Sequence, residues 1–147
     1  MRAFVCTCRP RSVNARAALK SIFVKAIQSA HGNCTQIVNP AAGDLYGLVY
    51  YLHAKPTQMD ADNVSKPVWD ALEGIGYRDD EVIKHRRAGL IDLRSKDPRA
   101  FDLSGMPDGV AADLISAVGV HDDIIYVEYG TLHNDMYEFG LEGSVGQ

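Results

Sequence analysis

The run from Leu45 to Ala54, Leu-Tyr-Gly-Leu-Val-Tyr-Tyr-Leu-His-Ala, carries no charged residue and is apolar at both odd and even positions. A strand with one wet face alternates in polarity, whereas a strand this apolar on both sides is covered on both. Residues 45–54 are too apolar for an edge strand and read as central in a sheet.

The other segments supply neighbours and cover. Residues 2–8 read as a short strand. A helix is expected from about Ala15 to Ala30, with Ala15, Ala18, Leu19, Ile22, Ala26 and Ala30 at helical spacing, Ser12 or Asn14 as cap, and Gly32 just past the end. After a loop from Asn39 to Asp44 and the central strand, a second helix runs from near Asn63 to Leu72 and stops at Gly74. A strand over 81–93 carries the basic run Lys84-His85-Arg86-Arg87. Residues 94–109 hold Pro98, Gly105, Pro107 and Gly109 and read as loop. A short helix over 110–118, capped by Asp108, and a strand over 124–129 complete the set. The pattern is α/β (α+β): one domain over 1–147, a mixed β-sheet with helices packed on it, with 94–120 as an insertion or loop and 131–147 as a polar acidic tail.

No apolar run approaches the roughly 20 residues of a membrane span, and Met1–Cys6 is too short an apolar stretch for a signal peptide. The expected location is the cytoplasm. Cys6, Cys8 and Cys34 form neither a disulfide framework nor a Cys-x-x-Cys knuckle. Cys6 and Cys8 are expected on one strand face as small buried residues.

A net charge of −4 argues against a nucleic-acid partner, but its distribution argues for one. All 15 Lys and Arg lie in residues 1–99 beside 10 acids, while residues 100–147 hold nine acids and no cation. Such asymmetry supports a basic face that collects phosphate. An acidic third that only keeps the chain in solution is the plainer alternative.

The chemistry concentrates in Asp60-Ala-Asp62-Asn63-Val-Ser-Lys66-Pro-Val-Trp-Asp70-Ala-Leu, followed after six residues by Asp79-Asp80-Glu81. On a helix, Asp62, Lys66 and Asp70 share one stripe, and Val64, Val68 and Leu72 share another that can pack on the sheet. Asp62 stands at or near the N-cap, while Asp60 lies before the helix with no capping duty expected. Carboxylates converging from a strand end, a helix start and a second strand start suit Mg²⁺ or Mn²⁺, hard cations that take oxygen ligands. An EF-hand fails: Ser65 replaces the sixth-position Gly, Ala71 the twelfth-position Glu, and Pro67 interrupts the loop. A cap at Asp62 and a surface Lys66–Asp70 ion pair are the structural alternative.

The pattern Asp60-x-Asp62-Asn63-x-x-Lys66-x-x-x-Asp70-Ala71-Leu72, a Gly-containing turn and Asp79-Asp80 before a strand resembles the signature of RusA-like Holliday junction resolvases. Pro10-x-Ser12-x-Asn14 is similar to the stretch after that family's first strand. The resemblance implies a small Mg²⁺-dependent endodeoxyribonuclease of bacteria and phages that nicks four-way DNA junctions symmetrically as a homodimer. It also implies Asp60, Asp62 and Asp80 as metal-binding catalytic carboxylates, with Asp79 beside them, and Lys66 as the functional cation. Asn63, Asp70, Ser12 and Asn14 belong to the motif without assigned roles. Arg9, Arg11, Arg16, Lys84, Arg86 and Arg87 are the expected contacts to flanking DNA backbone. A non-catalytic DNA-binding or assembly protein, a nuclease for other branched DNA, and a small-molecule phosphohydrolase are the competing readings.

Overall fold

The computed structural model describes residues 1–34, 41–95, 97 and 100–144. Asn39 and Pro40 of the expected loop, Pro98 and the last three residues of the tail lie outside them. The elements run β1 (Arg2–Cys6), α1 (Ala17–Gly32), β2 (Leu45–His53), α2 (Ala61–Leu72), β3 (Ile83–Asp92), α3 (Asp108–Ala117) and β4 (Asp123–Thr131), with a 3-10 turn at Asp80–Val82 before β3 and two short ones after β4.

The sheet order is β1-β4-β2-β3, so β2 is internal as its composition requires. The sheet is mixed: β4 pairs antiparallel with β1 and β2, while β3 pairs parallel with β2. A parallel neighbour needs a crossover, and α2 is that crossover. Alternate residues of β2 feed two cores. Leu45, Val49 and Tyr51 join Phe23, Ile27, Val68, Trp69 and Leu72 under α1 and α2. Leu52, on the other face, joins Val110, Leu114 and Ala117 of α3. The fold is therefore α+β, with helices on both faces of the sheet.

Several local expectations are corrected. The buried face of α1 is Phe23, Ile27 and His31, with Ala26 and Ala30 of the expected stripe packed beside it, whereas Ile22 is 65% exposed. The bulky side chains at four-residue intervals, rather than the small alanines, decide which face turns inward. Neither Ser12 nor Asn14 caps α1: Arg16 holds the cap position without a side-chain bond, and Ser12 instead accepts the Ala15 N–H through its carbonyl. Pro107, not Asp108, precedes α3, and Asp108 lies in its first turn. β1 stops at Cys6, so Cys8 lies beyond the strand and is only half-buried. Trp69 is fully buried against β2 within one chain.

Candidate metal and nucleic-acid site

α2 forms because an N-cap, a first-turn acid and a two-sided pattern coincide. Asp60 is the cap: its Oδ1 accepts the Asn63 N–H at 2.8 Å. The expected roles of Asp60 and Asp62 are thus exchanged. Asp62 sits in the first turn, where the helix dipole favours a carboxylate and no capping bond ties its side chain to Asn63. Val64, Val68 and Leu72 are buried, as the stripe predicts. Pro67 is the seventh of the twelve residues of α2, so the helix forgoes the bond that an N–H there would donate to the Asn63 carbonyl.

The turn that returns the chain to β3 is built around Gly74 and Gly76. Gly74 has φ +85°, a left-handed conformation that stops the helix. A Cβ on Gly76 would stand 2.7 Å from the Tyr129 hydroxyl. The Gly76 carbonyl accepts from Ala41 N–H at 2.8 Å, Arg2 at 3.2 Å and the Tyr129 hydroxyl at 3.4 Å. Buried His31 holds that hydroxyl at 2.7 Å. Tyr77 then donates to the Trp69 carbonyl, satisfying an acceptor near the helix end. This network delivers Asp79 and Asp80.

Asp80 is the most enclosed of the motif carboxylates, with its side chain 18% exposed between two cations. Lys66 Nζ lies 3.6 Å from its carboxylate and 2.9 Å from Asp70. The hydrogen bond to Asp70, with help from Asp80, raises the Lys66 pKa and keeps the ammonium charged. Arg86 lies 3.4 Å from the same carboxylate and donates to the Asp80 carbonyl at 2.7 Å and the Ile83 carbonyl at 3.2 Å. Asp79 caps the 3-10 turn through the Glu81 N–H.

Glu73 is the residue that sequence reasoning missed. Its Oε1 accepts the Asp80 N–H at 3.0 Å. One ligand oxygen from each of Glu73, Asp79 and Asp80 lies within 4.8 Å of the others, and among the described residues this is the group able to hold a metal ion. An all-oxygen, all-carboxylate donor set fits a hard divalent cation. The available signal was the Gly74–Gly76 turn, which folds residues 79 and 80 back onto the helix end where Glu73 sits.

Asp60 and Asp62 are outside that group. At about 1.5 Å rise per residue, the eight residues from Asp62 to Asp70 span about 12 Å of helix axis. α2 thus puts Asp60 and Asp62 toward the His53 end of β2 and Asp79 and Asp80 toward the Ile83 end of β3. A cleft of about 730 Å³ runs between α2 and β3, with Asp62, Lys66, Arg86 and Arg87 on its wall, but Glu73, Asp79 and Asp80 do not line it. The expected DNA contacts divide likewise. Arg9, Arg11 and Ser12 line a second cavity of about 460 Å³ with Lys55, Met59, Asp122 and Asp123, beside the start of α2. Lys84 is exposed on β3, while Arg87 is engaged by Glu138 at 3.2 Å and by the Met136 carbonyl. Arg16 and Asn14 are exposed before α1.

The family model for Endodeoxyribonuclease RusA matches residues 20–101, which hold the whole acidic motif, α2, its turn and β3. This chain belongs to the RusA endodeoxyribonuclease family. Membership makes it a chain of a nuclease family whose substrate is DNA, and it agrees with the resemblance carried by Asp60 through Asp80. No curated protein matches the chain. Among the described residues, no helix of this RusA-family chain is long and apolar enough to cross a membrane.

Proposed function

We propose that the chain is a Mg²⁺-dependent endonuclease that resolves four-way DNA junctions by paired symmetric nicks, acting as a homodimer in the cytoplasm during recombination and repair. Residues 1–147 act together as one nuclease domain. The observation that carries the reading is Asp80 beside Glu73 and Asp79, facing Lys66 and Arg86, within a RusA-family segment.

Asp60, Asp62, Asp79 and Asp80 are the proposed metal-holding carboxylates, with Glu73 added by its position. When bound, a divalent cation lowers the pKa of a coordinated water and neutralises charge developing on the phosphate. Lys66 exchanges its contact with Asp80 for one with the scissile phosphate, an interaction strengthened as charge develops there. Arg86 keeps Asp80 oriented through its carbonyl and carboxylate. Arg9, Arg11, Arg16, Lys84 and Arg87 hold flanking backbone, so binding weakens steeply with salt. Junction shape, rather than base edges, selects the substrate.

The test compares nicking of labelled four-way junction, flap and linear duplex, with and without Mg²⁺, by the wild-type chain and Asp62→Asn. Paired nicks confined to the junction, lost in the variant while junction binding persists, are expected. A variant that cuts at the wild-type rate refutes the site assignment. Absence of metal-dependent cutting in the wild type favours the non-catalytic DNA-binding reading.

A further inference from the structure

On a regular strand, residues two apart share a face but stand about 6–7 Å apart. Cys6 and Cys8 do not: β1 ends at Cys6, the chain bends at Cys8, and the two Sγ atoms lie 3.0 Å apart in a thiol–thiol hydrogen bond. Both are free thiols on the wall of an open cavity of about 660 Å³ between β1, the end of α1 and the start of α3. Cys34 shares that wall, but its Sγ donates to the Ala3 carbonyl at 3.3 Å instead.

We propose that Cys6 and Cys8 are a redox-active dithiol that closes to an intramolecular disulfide under a peroxide-class oxidant. The S–S bond length of about 2.05 Å requires the sulfurs to approach by about 1 Å. The Cys6–Cys8 hydrogen bond holds the Cys6 thiol below its ordinary range, while the same bond and burial push Cys8 upward. The thiolate is the form that reacts, and with Cys6 attacking first Cys8 is the resolving thiol. Its sulfur attacks one peroxide oxygen, the O–O bond breaks, and a sulfenic acid forms as hydroxide departs and is protonated to water. Cys8 then attacks that sulfur through its own, loses its thiol proton and expels hydroxide, which leaves as a second water. Two thiols and one peroxide thus yield one disulfide and two waters. The disulfide would brace the root of the loop carrying Arg9 and Arg11, because Cys8 directly precedes it. This inference stands apart from the nuclease reading.

The experiment treats the full chain with stoichiometric hydrogen peroxide, blocks remaining thiols with iodoacetamide and maps tryptic peptides. No tryptic site separates Cys6 from Cys8, and Pro10 protects the Arg9 bond, so both lie in peptide 3–11, apart from Cys34. The expected product is that peptide lighter by two hydrogens, unalkylated, and restored by dithiothreitol. The mass loss should vanish in Cys8→Ser. A doubly alkylated peptide, an oxygen-bearing sulfinic acid on it, a cross-link to Cys34 or to a second chain, or persistence of the mass loss in Cys8→Ser overturns the proposal.

Discussion

Gly47→Ala tests how the core positions the site. Gly47 lies on internal strand β2, and a Cβ there would stand 2.7 Å from two ring carbons of Trp69 and 3.0 Å from a methyl of Ile83. Carbon atoms prefer about 3.5–4.0 Å, so the methyl group is about 1 Å too close. Trp69 is wholly buried and Ile83 nearly so, leaving neither space to retreat. β2 is hydrogen-bonded on both sides by β3 and β4, which resists movement of the strand. The strain falls on α2, at about 1–3 kcal/mol for overpacking of this kind. For a chain of this size, about 2 kcal/mol lowers Tm by about 4–8 °C. Because α2 carries Asp62 and Lys66, a displacement of about 1 Å should also reduce nicking by up to about 100-fold under conditions where the variant remains folded. Urea unfolding and a metal-dependent nicking assay measure the two effects. Gly32→Ala is the control, since its Cβ meets nothing within 4 Å. A Gly47→Ala midpoint unchanged within about 0.5 kcal/mol would refute the account of how α2 is seated.

Two other perturbations follow from the same network. Arg86→Gln removes a cation 3.4 Å from Asp80, so Mn²⁺ measured by calorimetry without DNA should bind about 3–10-fold tighter, with under about 1 kcal/mol of stability lost from this partly exposed pair. Equal or weaker Mn²⁺ binding would show that Arg86 serves the metal site only by orienting Asp80. Burial, and then the charge of Arg2, hold the His31 pKa below its ordinary 6.5. Below pH 6.5 the unfolded chain takes up a proton that the folded chain resists, so stability present above that pH is lost as pH falls toward the lowered value. The urea midpoint should drop between about pH 7.5 and about pH 5.5, and His31→Gln should flatten the drop; identical slopes in both proteins would exclude His31 as its source.

The legible parts of this chain were those governed by local pattern. A strand apolar on both faces and an apolar stripe at helical period are local patterns, so the central place of β2 and the buried stripe Val64, Val68 and Leu72 could be read from residues alone. The Asp60–Asp80 spacing likewise carried the family. Caps were read less well, because Ser12, Asn14, Asp60 and Asp62 are all competent cap residues and only the backbone's actual entry into the helix selects among them. The face of α1 depended on which side chains the sheet could accommodate.

By itself, the sequence determined the mixed sheet's central strand, the acidic helix beside it and membership of a nuclease family. Only the tertiary structure decided how the motif divides: Asp60 and Asp62 at one end of α2, and Glu73, Asp79 and Asp80 at the other, with Lys66 reaching the second group. The reason is that helical spacing shows which residues share a face. Which carboxylates come within reach of one ion depends on where a turn returns the chain. That return is held by Gly76, Arg2, His31 and Tyr129, of which His31 and Tyr129 alone are 98 positions apart in the chain, and no local pattern encodes their meeting.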